Sequence, residues 1–173
     1  MTLKTIFFAI LLFPTLVNAD VIDSGTNGFI IESSRQVNAS PEQAYQQFLA
    51  VNQWWDGSHS WFGSAENFSI EARAGGCFCE LKGQQQVEHM RVSFVNPNKE
   101  IRMLGGLGPL QAMGVSGAMT WTFIQSEQGS KVTHRYVVSG YYPDGLDKLA
   151  SIVDQVQTGQ LERLAALLNA QSK

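Results

Sequence analysis

The chain has 173 residues, of which 44% are hydrophobic and 16% charged, and its formal net charge is −3. This length and composition predict one soluble domain with enough residues for a substantial core. The slight acidity, without any basic run, argues against nucleic acid and against an anionic membrane surface as partners.

The first 19 residues have the pattern of a secretory signal peptide. Lys4 is positive, residues 6–17 are almost all apolar, and Val17-Asn18-Ala19 places permissive residues at a cleavage site. The apolar run is too short to span a bilayer comfortably, and no second long run follows. We therefore expect a signal peptide over residues 1–19, a flexible mature N-terminus over 20–27 and a single domain over 28–170. The expected location is periplasmic or secreted, with no integral membrane segment after signal cleavage.

The mature chain opens with a predicted strand over residues 28–39 and a short helix that ends near Asn52. Ser40, Pro41 and Gln43 match a capping box with proline at the first helical position. Residues 54–63 then contain three tryptophans, a phenylalanine and a histidine, with glycines that permit turns. This segment predicts a second short helix or turn within an irregular loop.

A meander of strands is predicted next, over residues 68–74, 77–81, 86–95, 100–104, 118–125 and 131–139. The polar connection over residues 126–130 contains a glycine and suits a hairpin. Residues 105–117 are too rich in glycine for a stable helix. We expect a mobile apolar loop there, at one end of the sheet, where it could gate an opening.

Alternation along these strands assigns side chains to the two faces of the sheet. The inward sets are Met90, Val92 and Phe94; Met119, Trp121 and Phe123; and Val132, His134, Tyr136 and Val138. The same alternation places His89 and Arg91 on the outer face.

Cys77 and Cys79 are the two cysteines of the chain. On a regular strand their Cα atoms would lie about 6.5–7 Å apart, at the outer limit of disulfide geometry. Free thiols are therefore the expectation. A strained redox-active bridge and half of a metal site are the alternatives, and the second of these is a weak signal without another cysteine pair.

The last predicted element is a long amphipathic helix from Asp144 to Asn169, with Asp144 as its N-cap. Its apolar positions are Leu146, Leu149, Ile152, Val153, Val156, Leu161, Leu164, Leu167 and Leu168. The opposite face carries Asp147, Lys148, Asp154, Gln155, Gln157 and Glu162. A helix of this length, apolar on one side, needs a long apolar surface to pack against. Because nearly everything upstream is predicted strand, that surface is expected to be a sheet.

This order of elements predicts an α+β fold in which a curved antiparallel sheet wraps around a long C-terminal helix, with two short helices after the first strand. Four segments, residues 35–45, 121–123, 131–141 and 145–150, resemble the SRPBCC superfamily. That superfamily includes START-like lipid-binding domains, polyketide cyclases, birch-pollen-allergen-like proteins and heat-shock ATPase activators. The resemblance implies a helix-grip fold with an apolar ligand held between sheet and helix. It does not imply one activity, because the superfamily has no universal catalytic motif.

Aromatic and methionine side chains suit the wall of a pocket for a large apolar ligand, and they suit a packed core equally well. The candidate ligand-binding residues are Trp54, Trp55, His59, Trp61, Met90, Met103, Met119, Trp121, His134 and Tyr136. His134 is interpreted primarily as a hydrogen-bonded core histidine. Together with Tyr136 it is also the candidate acid–base pair.

Three functions are consistent with these features. The first is an exported domain that binds a hydrophobic small molecule or lipid without catalysis. The alternatives are a cyclase- or dehydratase-type enzyme that uses His134 and Tyr136, and a protein-interaction module with a filled interior. No cofactor and no metal site are predicted, and the sequence names neither the ligand nor the oligomeric state.

Overall fold

A computed structural model describes residues 20–171. The predicted signal peptide lies outside the described residues. Eight antiparallel strands form one sheet in the spatial order β1-β2-β8-β7-β6-β5-β4-β3. The strands are β1 (Asp20–Gly25), β2 (Gly28–Val37), β3 (Phe68–Ile70), β4 (Cys77–Lys82), β5 (Gln85–Asn96), β6 (Glu100–Leu104), β7 (Ser116–Ser126) and β8 (Gly129–Ser139).

The sheet curves around the C-terminal helix, which confirms the predicted helix-grip architecture. Helix α1 (Pro41–Leu49) follows β2, and helix α2 (Asp147–Gln171) closes the domain. Helix α2 packs on β2 and on β1. Within residues 20–171, no helix is both long and apolar enough to span a membrane.

The predicted start of α1 is confirmed in detail. The Ser40 hydroxyl accepts from the Gln43 amide, and the Gln43 side chain accepts from the Ser40 amide. These two bonds satisfy amides that the first turn of a helix leaves free. Short 3-10 turns follow at Val51–Gln53, Gly57–His59 and Ala65–Asn67.

The polar segment over residues 20–27 is not a loose end. Asp20–Gly25 forms an edge strand that pairs with β2, and a tight turn then joins the two strands. Alternating apolar residues do not reveal this strand, because Val21, Ile22 and the polar residues after them are all exposed. Its backbone hydrogen bonds, rather than burial, hold it to the sheet.

Helix α2 begins at Asp147 instead of Asp144, and its buried face differs from the predicted one. Asp154 and Gln157, expected to face solvent, are 6% and 3% exposed. Ile152, expected in the core, is 54% exposed. The middle of the helix therefore presents polar side chains to the interior, which a purely hydrophobic pattern does not detect.

Two irregularities in β5 correct the predicted faces. Between Phe78 and Cys79 the pairing of β4 with β5 shifts by one residue, which leaves His89 as the extra residue of a bulge. Both His89 and Met90 are consequently buried, so the outward assignment of His89 is wrong. A second shift opposite β6 turns Phe94 outward, where it is 40% exposed and contacts the Arg102 guanidinium. A bulge reverses the alternation that follows it.

Cys77 and Cys79 form a disulfide, so the expectation of free thiols is wrong. Their Cα atoms are 5.3 Å apart, closer than the spacing assumed for a regular strand. The pairing of β4 with β5 is irregular between Phe78 and Cys79, so this part of β4 is not the regular strand that the predicted spacing assumes.

One half of the interior is filled by what we call the aromatic cluster, Tyr45, Phe48, Trp54, Trp121 and Phe123. Ring centroids of neighbouring members lie 5.0–5.9 Å apart, in edge-to-face or tilted arrangements. The indole nitrogen of Trp54 donates to the Phe48 carbonyl oxygen at 3.1 Å. Such contacts are those of a well-packed core with its buried polar atom satisfied.

Candidate functional site

The other half of the interior contains a cavity of about 450 Å³, within the size range of small-molecule sites. Four segments enclose it: the tryptophan-rich loop (residues 55–61), the glycine-rich loop (107–113), the first half of α2, and the sheet. The wall residues are Trp55, Ser58, His59, Ser60, Trp61, His89, Leu107, Gly108, Pro109, Leu110, Met113, Tyr136, Leu149, Ile152, Val153, Val156 and Gln157. Trp61 and Ile152 are about half exposed and lie at the mouth of the cavity.

Two side chains of α2 fix the beginning of the tryptophan-rich loop. Arg163 Nε donates to the Trp54 carbonyl oxygen at 2.9 Å, and the Asp56 amide donates to Gln160 Oε1 at 2.8 Å. Gln160 is 1% exposed, so its hydrogen bond with the Asp56 amide is formed inside the protein. The helix therefore positions Trp55, which lies between the two bonded residues, against the cavity.

A buried carboxylate fixes the far end of the same loop. Glu80 of β4 is fully buried and accepts from the Ser60 hydroxyl at 2.5 Å, the Trp61 amide at 3.0 Å and the Phe62 amide at 2.8 Å. Burial raises the pKa of Glu80, but these bonds and that of His89 outweigh burial and leave the pKa below its ordinary value. The carboxylate is thus ionised at neutral pH, and its donors explain how a buried charge is tolerated.

His89 connects this carboxylate with the cavity. Its Nε2 lies 3.3 Å from Glu80 Oε2, and its ring stacks on Phe68 with centroids 5.2 Å apart. Burial lowers the pKa of His89, and the contact with Glu80 only partly opposes that effect. His89 is therefore neutral at physiological pH, with one face of its environment apolar and the other formed by Glu80.

The glycine-rich loop is held to the sheet by Tyr136. The Tyr136 hydroxyl donates to the Gly105 carbonyl oxygen and accepts from the Leu107 amide, both at 3.0 Å. Burial raises the pKa of Tyr136 to about 12. Gln111 adds a bond from its side-chain amide to the Glu88 carbonyl oxygen at 2.6 Å. A short 3-10 turn at Gly108–Leu110 then places apolar side chains over the cavity.

The structure divides the residues predicted to bind a ligand into two groups. Trp55, His59, Trp61 and Tyr136 line the cavity. Trp54, Met90, Met103, Met119, Trp121 and His134 are buried in the core and do not line it.

His134 is neither hydrogen-bonded, as expected for a core histidine, nor paired with Tyr136. Neither ring nitrogen has a partner within residues 20–171, and the ring lies against Trp121 with centroids 4.7 Å apart. Burial alone lowers the pKa of His134 to about 3. With the Tyr136 hydroxyl occupied by the glycine-rich loop, the proposed acid–base pair has no hydrogen bond between its members.

Among the polar residues of the site that the sequence analysis missed are Glu80, His89 and Gln157. A bulge conceals His89, and Gln157 lies on the helix face predicted to be exposed. The one available signal for Glu80 is a charged residue at an inward position of β4, since Phe78 and Glu80 share the buried face of that strand.

The wall of the cavity contains no side chain that is permanently charged at neutral pH. No Lys, Arg, Asp or Glu belongs to it, and its two histidines are His59 and His89. In the part of the chain that the structure describes, no three His, Cys, Asp or Glu side chains lie close enough to hold a metal ion.

Comparison with known proteins relates this chain to others by fold. No protein-family model and no curated protein sequence matches it. Solved structures do match. Protein MLL2253 from Mesorhizobium loti has a TM-score of 0.59 at 17% identity, over 82% of this chain and 97% of the other. Aha1 from Colwellia psychrerythraea, solved as a dimer, has a TM-score of 0.56 at 15% identity, over 81% and 96%. CalU16 from Micromonospora echinospora has a TM-score of 0.56 at 10% identity, over 81% and 74%. At these identities the similarity establishes a shared helix-grip fold.

The fold is thus compatible with small-molecule binding, and the cavity lies where the sheet, α2 and two loops meet. Its wall is mostly apolar, and its polar residues include Ser60 and His89, which both contact Glu80, and Gln157 of α2.

Proposed function

We propose that this protein is an exported domain of the SRPBCC superfamily that binds a hydrophobic small molecule in the cavity between the sheet and α2. The observation that carries the proposal is a cavity of about 450 Å³ whose wall is mostly apolar and contains no Lys, Arg, Asp or Glu. A ligand that fills such a space gains roughly 25 cal/mol for each Å² of apolar surface removed from water.

Hydrogen bonds behind the wall hold its two loops in place, and they support this function. Glu80, Gln160 and Arg163 hold the tryptophan-rich loop, and Tyr136 holds the base of the glycine-rich loop. A wall fixed in this way does not collapse into the space, so less ordering free energy is lost when a ligand binds. The interaction-module alternative requires a filled interior, which the cavity does not match.

Binding can be tested with a neutral fluorescent probe such as phenyl-naphthylamine, titrated into protein purified without detergent. We expect saturable binding of one probe per protein. Val156→Phe fills part of the cavity from α2 and should lower the affinity for the probe at least about tenfold, equivalent to about 1.4 kcal/mol. Val137→Phe is the matched control, because Val137 is an outward residue of β8 that is 36% exposed. Absence of saturable binding, or equal binding by both variants, would reject the proposal.

Export is a separate part of the proposal and rests on the first 19 residues of the sequence. The Cys77–Cys79 disulfide supports it, because disulfides persist in oxidising compartments. Cell fractionation of the native host, followed by mass spectrometry of the intact protein, should find a periplasmic or secreted form that begins near Asp20. Native mass spectrometry of the same purified protein should detect a complex with its ligand. A full-length cytoplasmic form would contradict export and leave binding unaffected.

A further inference from the structure

The absence of lysine and arginine from the wall makes the cavity unfavourable for an anionic ligand. None of its residues is a lysine or an arginine, and Glu80, whose carboxylate is ionised, lies directly behind His89. A carboxylate placed in this space would lose its hydration without gaining a positive partner, and would be repelled by a like charge. An apolar molecule without a formal charge meets neither penalty.

His89 provides an acceptor on this wall. An ionised carboxylate can only accept hydrogen bonds, so the proton of the neutral imidazole resides on Nε2, which faces Glu80. The other ring nitrogen, Nδ1, is then an acceptor, it takes no part in the contact with Glu80, and it belongs to a residue of the cavity wall. Glu80 thereby fixes which nitrogen of His89 can receive a proton from a ligand.

Two other residues of the wall each have one buried polar atom that lacks a hydrogen-bond partner. Gln157 Oε1, an acceptor, and Trp55 Nε1, a donor, form no hydrogen bond within the described part of the chain. The two residues are 3% and 5% exposed. An unpaired buried polar group costs about 1–3 kcal/mol, so a ligand that pairs with such atoms recovers free energy. A hydroxyl group can do so because it both donates and accepts.

We propose that the natural ligand is an uncharged apolar molecule that carries a hydroxyl group, and that His89 Nδ1 accepts the hydroxyl proton. This inference rests on the proposed function and adds the chemical class of the ligand. Trp55, with an unpaired donor, and Gln157, with an unpaired acceptor, belong to the same wall. The site accordingly prefers a hydrophobic alcohol or phenol to the corresponding carboxylic acid.

Three ligands with the same ring system separate the effect of the hydroxyl group from the effect of a negative charge. They are naphthalene, naphthol and naphthoate, and their affinities are measured by displacement of phenyl-naphthylamine at neutral pH. Naphthol is uncharged under these conditions and naphthoate is an anion. We expect naphthol to bind about tenfold more tightly than naphthalene and at least about a hundredfold more tightly than naphthoate. This ranking is measured on the unaltered protein and needs no variant.

His89→Phe keeps a ring of similar shape beside Phe68 and removes the acceptor. In this variant the ratio of the naphthol affinity to the naphthalene affinity should fall to about twofold or less, and this ratio is the readout whatever the affinity for naphthalene itself becomes. His134→Phe is the matched control, since the same substitution there lies outside the cavity and should preserve the advantage. His89→Gln, which retains an acceptor, should restore part of it.

The outcomes distinguish the two proposals. If naphthalene binds but naphthol shows no advantage, or if naphthoate binds as tightly as naphthol, the hydroxyl preference is wrong and the apolar-ligand function stands. If His134→Phe removes the advantage as fully as His89→Phe, the assignment of His89 is wrong. If none of the three displaces the probe and the probe itself does not bind, both proposals fail.

Discussion

Trp54 and Trp55 are neighbours in sequence, yet they belong to halves of the interior that are built differently. Trp54 lies in the aromatic cluster, where its ring packs on Phe48 and Trp121 and its indole nitrogen is hydrogen-bonded. Trp55 lines the cavity, and its indole nitrogen has no partner within residues 20–171. One half is held together by apolar contact. Apolar contact across the interior cannot hold the other half together, because the walls of the cavity lie apart from each other.

Polar groups behind the walls replace the missing contacts in the cavity half. The carboxylate of Glu80 collects a hydroxyl and two amides from one loop, and the hydroxyl of Tyr136 bridges two backbone groups of another. Hydrogen bonds are directional and fix the position of a loop without filling the space in front of it. The difference between the halves therefore shows how a helix-grip domain keeps a cavity open while the rest of its core is dense.

Removal of Glu80 should be the largest perturbation of the cavity half. Glu80→Ala leaves the Ser60 hydroxyl and the Trp61 amide without their acceptor and the Phe62 amide with Ser60 Oγ alone, and we expect the free energy of unfolding to fall by about 3 kcal/mol. Chemical denaturation gives this value, and hydrogen exchange should show faster exchange at Trp61 and Phe62. Glu88→Ala is the control, because Glu88 forms an exposed ion pair with Arg91 and should cost less than about 1 kcal/mol. Equal costs would mean that Glu80 does not organise the loop.

Two leucines of α2 compare the packing of the halves directly. Leu164 is fully buried in the core, whereas Leu149 is half-buried and lines the cavity. Leu164→Ala creates a new void and should cost about 3 kcal/mol, while Leu149→Ala enlarges an existing space and should cost about 1 kcal/mol. The midpoints of denaturation in urea measure both. A cost for Leu149→Ala as large as that for Leu164→Ala would indicate that the cavity is not open.

The two buried histidines should differ in their effect on acid stability. The folded pKa of His134 is about 3, below its ordinary value of 6.5, so between these values the unfolded chain binds a proton that the folded chain does not. Stability is therefore lost as the pH falls from 6.5 towards 3, by up to about 1.4 kcal/mol per pH unit. His134→Phe should flatten this part of the pH profile and raise stability by about 1 kcal/mol at neutral pH, since it removes two unpaired nitrogens.

His89→Phe should flatten the same profile less, because the contact with Glu80 opposes the effect of burial on the pKa of His89. Urea denaturation at several pH values gives the two slopes. An unchanged slope in His134→Phe would show that His134 does not resist protonation in the folded protein. A large loss of stability at neutral pH would show that its nitrogens are paired.

The smallest expected effect concerns the glycine-rich loop. Tyr136→Phe removes one hydroxyl and both of its hydrogen bonds, and we expect a loss of about 1 kcal/mol in the free energy of unfolding. The amide of Leu107 should exchange faster with solvent, because the hydroxyl is its acceptor. Tyr141→Phe is the control, since Tyr141 is 78% exposed. Unchanged exchange at Leu107 would mean that other contacts hold the loop.

Much of the fold follows from local sequence patterns. The capping box at Ser40, the hairpin between β7 and β8, and the inward faces of those two strands depend on neighbours along the chain or on regular alternation. Each is confirmed because nothing distant in sequence alters it. The edge strand Asp20–Gly25 has no such pattern, and pairing with β2 alone reveals it.

The candidate site follows from sequence only in part. The tryptophan-rich and glycine-rich loops are recognisable by composition, and both border the cavity. His89 is not recognisable, because a bulge opposite Phe78 turns it inward against the alternation of its strand. Gln157 is assigned to the wrong side of α2 for a related reason, since a hydrophobic pattern cannot indicate that a helix presents polar side chains to an interior.

The amino-acid sequence by itself determined the order of the elements from β2 onwards, the cap of α1 and the inward faces of β7 and β8, because these depend on residues a few positions apart. Only the tertiary structure decided which half of the interior is filled and which is open. That outcome depends on Glu80, His89 and Ser60, which lie up to 29 positions apart in the chain and meet only when β4, β5 and a loop come together. A buried carboxylate is stable only with its donors in place, so its role appears when all of them are brought to one point.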